Sequence, residues 1–307
     1  EISLGLVGSE MCIRDSYNTL KMTNECIESI YKWTTGIDFE IILVDNASTD
    51  GSKESFEKDK RIKYIYNYEN LGFGKANNIG AREATGKYLF LLNSDTLLIS
   101  GAINHFFNFL ETHANIASCG ANLISANGEI VTSHGRFPSL MYEFSAIGFS
   151  KLYKSVFMNR YARSQTINDG DILHPHYITG ADIFIRAEIF RELKGFDEGF
   201  FMYYEETDLY KRMQNLGLRS ILLPEVSIIH KVGGSQKKTC NVNKFKILFA
   251  SKIRFWAKHH PHRNIKIVRT FSLLQVLSHI NLYRANFEEI KKTIFTTPIP
   301  QDLRHLH

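Results

Sequence analysis

The sequence predicts an α/β protein whose mostly parallel sheet is covered by helices on both faces. Short, continuous apolar runs at residues 39–44 and 88–92 are typical of parallel strands that are buried on both sides. Between such runs lie segments that place apolar residues at helical spacing, as residues 20–33 do, and the connections are short. Strands and helices that alternate in this way form parallel sheets.

The elements can be followed along most of the chain. The first half predicts strands at 39–44, 62–66, 88–92 and 116–124, and helices at 20–33, 75–84 and 102–112, with a further helix that ends near residue 58. An Asn127-Gly128 pair predicts a hairpin turn. The second half predicts strands at 177–184, 219–223 and 226–229, and helices at 187–193 and 205–216. Residues 137–176 show no clear periodicity, so no element is assigned there.

The composition is that of a globular protein with a sizeable core. Of 307 residues, 44% are hydrophobic and 22% are charged, which suits one large domain or one domain with an appendage. No apolar run reaches the ~18 residues that span a bilayer, and the start of the chain does not resemble a signal peptide. The four cysteines form no CxxC pair, which is typical of a reduced cytosolic protein. We expect a protein that is soluble or lies on a membrane without crossing it.

The net charge of +5 is unevenly distributed, because lysines and arginines between residues 231 and 269 alternate with aromatic and aliphatic residues. Such a stretch can rest on anionic lipid headgroups. The equally weighted alternative is a helix that packs on the rest of the protein with its basic face in water. We expect no nucleic acid partner, since no recognised binding motif accompanies the charge.

The first sixteen residues, EISLGLVGSEMCIRDS, do not alternate as a half-buried strand does. They resemble a translated sequencing adapter, and we interpret residues 1–16 as a non-native segment that has replaced the start of the first strand. The alternative is an ordinary, glycine-rich strand through residues 4–7.

Four segments carry acids, amides and glycines in a fixed order: residues 44–52 (VDNASTDGS), 70–74 (NLGFG), 92–96 (LNSDT) and 204–208 (YEETD). Each of the first three follows a predicted strand or its turn. In an open α/β sheet that is the edge where ligands bind. A fifth segment, residues 195–204 (GFDEGFFMYY), brings an aromatic run to the pair Glu205-Glu206.

This order of motifs, from Tyr17 to about residue 260, resembles the inverting family 2 glycosyltransferases of the GT-A fold, and within them the rhamnosyltransferase-like branch. The resemblance implies a catalytic domain at 17–236 with a basic helical appendage at 237–307. It implies a base-binding role for Tyr17 and Asp45, and further nucleotide contacts from Asn46, Asn70, Gly72 and Asn77.

The resemblance also implies the remaining roles. Asp95 and His230 would hold a divalent metal, Mg²⁺ or Mn²⁺, although only one acid stands where the family has Asp-x-Asp. Glu206 would be the general base in a place that the family usually fills with Asp, and this departure leaves a role for Glu205 open. Acceptor contacts are implied for Gly180, Asp182, Tyr204 and Asp208.

Each of these assignments has a simpler alternative. Asp45 or Asp50 could cap the following helix, and His230 could be an ordinary structural histidine. The acids at 205 and 206 could serve only the helix dipole, which is worth about 0.3 to 1 kcal/mol, although that leaves the adjacent aromatic run unexplained. A dinucleotide oxidoreductase is disfavoured, because no GxGxxG opens the first helix.

The implied function is transfer of a sugar, with rhamnose favoured, from a dTDP- or UDP-sugar to a saccharide or lipid-linked saccharide during synthesis of bacterial cell-surface polysaccharide. The implied location is the cytoplasm, with peripheral contact to the inner face of the plasma membrane as an alternative. The rival interpretation is a non-catalytic relative that binds nucleotide-sugar or carbohydrate.

Overall fold

The computed structural model describes residues 9–149, 174–231 and 241–306, and within them an eight-stranded sheet forms the centre of the molecule. Its strands are β1 (Ser9–Ser16), β2 (Asp38–Asn46), β3 (Ile62–Asn67), β4 (Tyr88–Leu92), β5 (Thr96–Leu98), β6 (Ile116–Ile124), β9 (Asp182–Arg186) and β10 (Arg219–His230). They lie in the order β3-β2-β1-β4-β9-β6-β10-β5. Two short strands, β7 (His134–Gly135) and β8 (Tyr177–Ile178), form a separate pair.

Most of the sheet is parallel, as the sequence predicts. Strands β3, β2, β1 and β4 pair in parallel, and so do β6 and β10. Strand β9 runs antiparallel to both β4 and β6, and β5 runs antiparallel to β10. The two predicted strands at 219–223 and 226–229 form one strand, because β10 continues through a register shift between Leu223 and Ser227. Pro224, which has no N–H to donate to a ladder, lies in that irregularity.

Helices cover both faces of this sheet. They are α1 (Leu20–Trp33), α2 (Ser52–Phe56), α3 (Phe73–Glu83), α4 (Ala102–Thr112), α6 (Ala187–Glu192) and α7 (Glu205–Asn215). A short helix, α5 (Leu140–Phe144), packs instead on the later helix Arg263–Ser278, where Phe144 meets Phe271. Alternate residues of β4 face opposite sides, so Phe90 packs in a cluster with α1 and α4, whereas Leu91 packs in another with α3, α6 and α7. The doubly covered sheet explains why its strands read as continuous apolar runs.

The last described part is a helical layer with its own core. It contains α8 (Val242–His259), α9 (Arg263–Ser278), α10 (Ile280–Tyr283) and α11 (Phe287–Thr296), packed around Trp256 and its neighbours. The predicted boundary at residue 236 falls outside the described residues. No helix in the described ranges is long and apolar enough to cross a membrane.

Several bases of the predicted basic stretch do not face water or a lipid surface. Lys252 pairs with Glu143 at 2.5 Å, and both Arg254 and Lys258 pair with Asp197 at 2.7 Å. These contacts attach α8 to the sheet domain. The structure therefore departs from both interpretations of the stretch at these three positions, because the cations balance acids at an internal interface.

The amino-terminal segment takes part in the sheet from Ser9 onward. Strand β1 lies in parallel register between β2 and β4. Residues 4–7, the alternative first strand, lie outside the described residues. The non-native origin of residues 1–16 stays a prediction.

Candidate active site

The polar motifs predicted from sequence meet at one edge of the sheet. Register pairs Ser16 of β1 with Asp45 of β2, and Leu92 of β4 with Asp182 of β9. Because β9 and β5 run against their neighbours, the start of β9 and the start of β5 also lie at this edge. Thr96 of β5 pairs with His230, the last residue of β10. The ends of six strands, β1, β2, β4, β5, β9 and β10, therefore lie at this edge.

The two residues that resemble metal ligands lie side by side. His230 Nε2 is 3.2 Å from Asp95 Oδ1, and the two side chains retain 18% and 26% of their exposure. The Lys231 N–H donates to the Asp95 carbonyl at 2.8 Å, which fixes the end of β10 against the turn after β4.

This pair fits part of a metal site. Carboxylate oxygen and imidazole nitrogen are ligands that Mn²⁺ accepts, and a 3.2 Å separation suits adjacent ligands at bond lengths of about 2.1 Å. The described residues contain no group of three or more His, Cys, Asp or Glu that could hold a metal ion. Further ligands would therefore have to come from a bound substrate or water.

Asp45 is fully buried at the end of β2. Its Oδ1 accepts from the Ser48 N–H at 2.8 Å, and its Oδ2 accepts from the Tyr64 hydroxyl at 2.7 Å. Burial, followed by the contact with Asp45, raises the pKa of Tyr64 well above its ordinary value. Asp45 does not cap α2, whose N-cap is Gly51. Its contact with a nucleotide base stays a prediction, and Tyr17, half exposed beyond β1, lies at the same edge.

The 70–74 loop packs against the aromatic run that precedes α7. Gly72 has φ +82°, and a Cβ added there would lie 2.1 Å from the Phe201 carbonyl oxygen. The Phe73 N–H donates to that oxygen at 3.0 Å. The resemblance implies a nucleotide contact for Gly72. The structure shows another reason for a glycine at this position, which is the close approach of the loop that contains Phe201.

The amides predicted to contact the nucleotide also hold this loop. Asn70 Oδ1 accepts from the Gly72 N–H at 3.0 Å, and Asn77 Nδ2 donates to the Phe73 carbonyl at 2.9 Å. Asn46 Nδ2 lies 3.5 Å from the Gly72 carbonyl. Nucleotide contacts by these residues stay predictions.

Glu205 and Glu206 open helix α7 after a strained turn. Tyr203 and Tyr204 both have positive φ, 68° and 69°. That is uncommon for bulky residues and is concentrated at functional sites. Glu205 is buried, whereas Glu206 is partly exposed and its Oε1 accepts from the Thr207 hydroxyl at 3.2 Å. Burial raises the pKa of Glu206 above the ordinary value of a glutamate.

Asp208 is fully buried and contacts two cationic side chains and a histidine. It pairs with Arg212 at 2.8 Å, with Lys258 at 2.8 Å and with His259 at 2.7 Å. Burial would raise the pKa of Asp208, but the His259 hydrogen bond and the charges of Arg212 and Lys258 outweigh it and hold the pKa well below the usual range. Contact with an acceptor stays a prediction, and in this structure the carboxylate joins α7 to α8.

The other two predicted acceptor residues are placed differently from each other. Asp182 is fully buried and accepts from the Ala121 N–H at 2.6 Å, and burial raises its pKa well above the ordinary value. Gly180 is partly exposed, and a Cβ there would touch the Phe73 ring at 3.3 Å. Acceptor contact by either residue stays a prediction.

The resemblance extends over residues 251–259, which look like the family's post-catalytic helix, but it implied no site role for the residues of α8. Ser251 Oγ donates to the Met202 carbonyl at 2.8 Å, and the Phe255 ring lies 5.6 Å from the ring of Tyr204. Arg254 and Lys258 are four residues apart, the spacing that places two side chains on one helix face. In the sequence, this spacing of two cations could have indicated a partner acid, which the structure shows to be Asp197.

Comparisons with known proteins agree with this geometry. A sequence profile described as "Glycosyl transferase family 2" matches residues 13–193. An uncharacterized glycosyltransferase of Haemophilus influenzae is 25% identical over 85% of this chain and 78% of its own length. An N-acetylglucosaminyl-diphospho-decaprenol L-rhamnosyltransferase of Mycobacterium tuberculosis is 22% identical over 62% of this chain and 66% of its own length.

An uncharacterized glycosyltransferase of Rickettsia felis is 37% identical over 33% of this chain, and the match spans only 17% of that protein. Among solved structures, GalNAc-T7 with UDP, GalNAc and Mn²⁺ has a TM-score of 0.65 at 15% identity, covering 96% of this chain and 59% of the other. The mannosyltransferase PcManGT of Pyrobaculum calidifontis, with GDP-Man and Mn²⁺, has a TM-score of 0.55 at 15% identity, covering 90% and 73%. The chain therefore belongs to glycosyl transferase family 2 and has the GT-A fold.

Proposed function

We propose that this chain transfers a sugar from a dTDP- or UDP-sugar to a saccharide acceptor, with inversion at the anomeric carbon. The observation that carries the proposal is the proximity of Asp95 and His230, from segments distant in sequence, at the sheet edge where Tyr17 and Asp45 also lie. Such an arrangement suits a nucleoside diphosphate, because its diphosphate needs a cation and its base needs a hydrogen-bond partner.

In this proposal Glu206 takes the proton from the acceptor hydroxyl while that oxygen attacks the anomeric carbon from the side opposite the leaving diphosphate. A carboxylate with a raised pKa suits this role, because a base works best when its pKa lies near the working pH. Glu205 is buried, and adjacent helical residues point about 100° apart, so it does not share the direction of Glu206.

Asp95 and His230 would hold Mg²⁺ or Mn²⁺. When bound, such an ion supplies charge stabilisation to the departing diphosphate. The support is the donor set of the pair and the presence of Mn²⁺ with GalNAc-T7 and with PcManGT.

We propose a rhamnosyl donor and an acceptor of the lipid-linked saccharide class, by similarity to the mycobacterial L-rhamnosyltransferase. The proposal includes a role in cell-surface polysaccharide synthesis and a cytoplasmic location. Peripheral contact with the membrane is part of the same proposal, although the ion pairs of Lys252, Arg254 and Lys258 remove three bases from its support.

The test is hydrolysis and transfer with a panel of dTDP-, UDP- and GDP-sugars, read as released nucleoside diphosphate. We expect turnover with a pyrimidine donor. Glu206→Gln keeps the volume of the side chain and removes its proton acceptance, so transfer should fall by ~10² or more while the dissociation constant of the donor stays nearly constant. Glu205→Gln is the matched control. An inactive Glu205→Gln beside a nearly normal Glu206→Gln would contradict the assignment of the base, and absence of turnover with every donor would favour a non-catalytic relative.

A further inference from the structure

A cavity of about 280 Å³ lies between α5, the turn before α7 and the carboxyl-terminal helices. Tyr142 and Glu143 line it from α5, Tyr204 from the turn before α7, and Lys252 and Gln275 from α8 and α9. Its volume is near the lower end of the roughly 300–1,000 Å³ range of small-molecule sites. It has room for one ring-sized group.

A nearly buried ion pair with a hydroxyl group lies in the wall of this cavity. Glu143 and Lys252 retain 4% and 12% of their side-chain exposure and lie 2.5 Å apart, and Lys252 Nζ also donates to Ser272 Oγ at 3.2 Å. Removing two charges from water is costly unless further hydrogen bonds compensate. Groups of this kind can hydrogen-bond both the donor and the acceptor sides of ligand hydroxyls.

Aromatic rings supply the rest of the wall. Phe245 stacks on Phe249 with ring centroids 5.8 Å apart, and it meets Tyr283 edge to face at 6.2 Å. All three line the cavity. A mostly apolar wall with a few placed polar groups is the usual construction of a binding site, and flat rings suit the C–H face of a pyranose.

The cavity adjoins the proposed general base. Tyr204 lines the cavity and directly precedes Glu205-Glu206 in the chain. Burial, and then the charges of Glu143 and Glu206 among its neighbours, raise the pKa of Tyr204 well above its ordinary value. Tyr204 is therefore close to both the cavity acid and Glu206.

We propose that this cavity binds a neutral sugar ring of the acceptor, so that the carboxyl-terminal helices select the acceptor of the reaction. The inference rests on the proposed function. A hydrocarbon chain would leave the Glu143–Lys252 pair beside apolar groups with no new hydrogen bonds, whereas a sugar ring satisfies both the charged pair and the aromatic wall.

Two variants test the proposal. Gln275→Trp fills the cavity without touching the ion pair, and Lys252→Met removes the cation while keeping an apolar stem. Lys246→Met is the matched control, because Lys246 lies on the same helix and pairs with Glu289 at 2.5 Å on the exposed surface. Thermal unfolding first establishes that each variant is folded.

The binding assay is saturation-transfer NMR with the methyl glycosides of rhamnose, N-acetylglucosamine, galactose and glucose, and with dodecyl maltoside. We expect sugar protons of at least one probe to receive saturation from the wild type and from Lys246→Met. We expect that signal to be lost in Gln275→Trp. Where an acceptor is turned over, its KM should rise about tenfold or more in Gln275→Trp and Lys252→Met, while donor hydrolysis stays within about twofold of wild type.

Three results would overturn the inference: no glycoside binds, binding persists unchanged in folded Gln275→Trp, or only the alkyl protons of dodecyl maltoside receive saturation. The last result would assign the cavity to lipid. Failure of the proposed function has a different signature, which is the absence of nucleotide-sugar turnover in the wild type and in all three variants.

Discussion

Replacing Asp208 by asparagine should destabilise the fold strongly. Asp208 is fully buried, and its carboxylate receives Arg212, Lys258 and His259 at 2.7–2.8 Å. Asparagine keeps the shape but removes the charge, so Arg212 loses its carboxylate partner and Lys258 keeps only Asp197. Breaking a buried pair by removing one partner costs about 3–5 kcal/mol. That is a large part of the roughly 5–15 kcal/mol of a typical domain.

The free energy of unfolding can be measured by urea titration of both proteins at pH 7. Asp302→Asn is the matched control, since Asp302 also pairs with an arginine at 2.8 Å but is 57% exposed. An exposed pair is worth about 0–1 kcal/mol, so this control should remain close to wild type. A loss below about 1 kcal/mol for Asp208→Asn would refute the view that the charge cluster joins the two layers.

The pH dependence of this stability difference follows from the lowered pKa of Asp208 in the folded state. Because the surrounding cations hold the folded-state pKa of Asp208 below that of an unfolded aspartate, the unfolded state binds the proton first as pH falls. The stability difference between wild type and Asp208→Asn should therefore be complete above about pH 4. It should decrease as pH falls further, through the folded-state pKa. A difference that grows on acidification would contradict the assignment.

Four further outcomes are expected. Chelation with EDTA, or Asp95→Ala, should abolish transfer, and full turnover in either condition would remove the metal role of that site. Transfer should fall on acidification at a higher pH than an ordinary glutamate would give, because burial raises the pKa of Glu206, and Glu206→Gln should lack this limb of the profile. Gly72→Ala should cost well over 1 kcal/mol in a urea titration and more than Gly128→Ala, whose φ is also near +80° but whose Cβ would meet nothing within 4 Å. UDP and dTDP should bind more tightly than ADP and GDP in calorimetry if Asp45 reads the base, and equal affinities would contradict that role.

The fold was predictable where the spacing of apolar residues in the sequence matches the buried face of the element. Strand β4 and helices α1 and α4 have the predicted bounds, because a doubly covered strand is continuously apolar and a helix on the sheet repeats its apolar face. The predicted strand at 177–184 proved to be two, β8 and β9. The direction of β9 could not be predicted, since residue periodicity is the same in parallel and antiparallel strands. The short β5 was missed for lack of length.

The site was predictable in its location but not in its contacts. The carboxyl-edge rule placed the 92–96 segment at this edge, the resemblance paired Asp95 with His230, and their side chains lie 3.2 Å apart. The rule could not show that Asp208 faces α8, because that contact depends on a helix which begins more than thirty residues later. The rule also could not show whether a glycine makes room for a ligand or, as Gly72 does, for the backbone of Phe201. Packing between distant segments decides such contacts, and the pattern of a single sequence does not reveal that packing.

The strained turn before α7 makes the two layers interdependent. Tyr203 and Tyr204 each hold a backbone conformation that costs on the order of 1–3 kcal/mol, so the surroundings must stabilise it. Part of that stabilisation comes from α8, where Ser251 binds the Met202 carbonyl and Phe255 packs on Tyr204. The direction in which Glu206 leaves this turn therefore depends on a helix that lies beyond the region matched by the family profile, which ends at residue 193. Under the proposed function, the layer that shapes the acceptor cavity is also the one that orients the base.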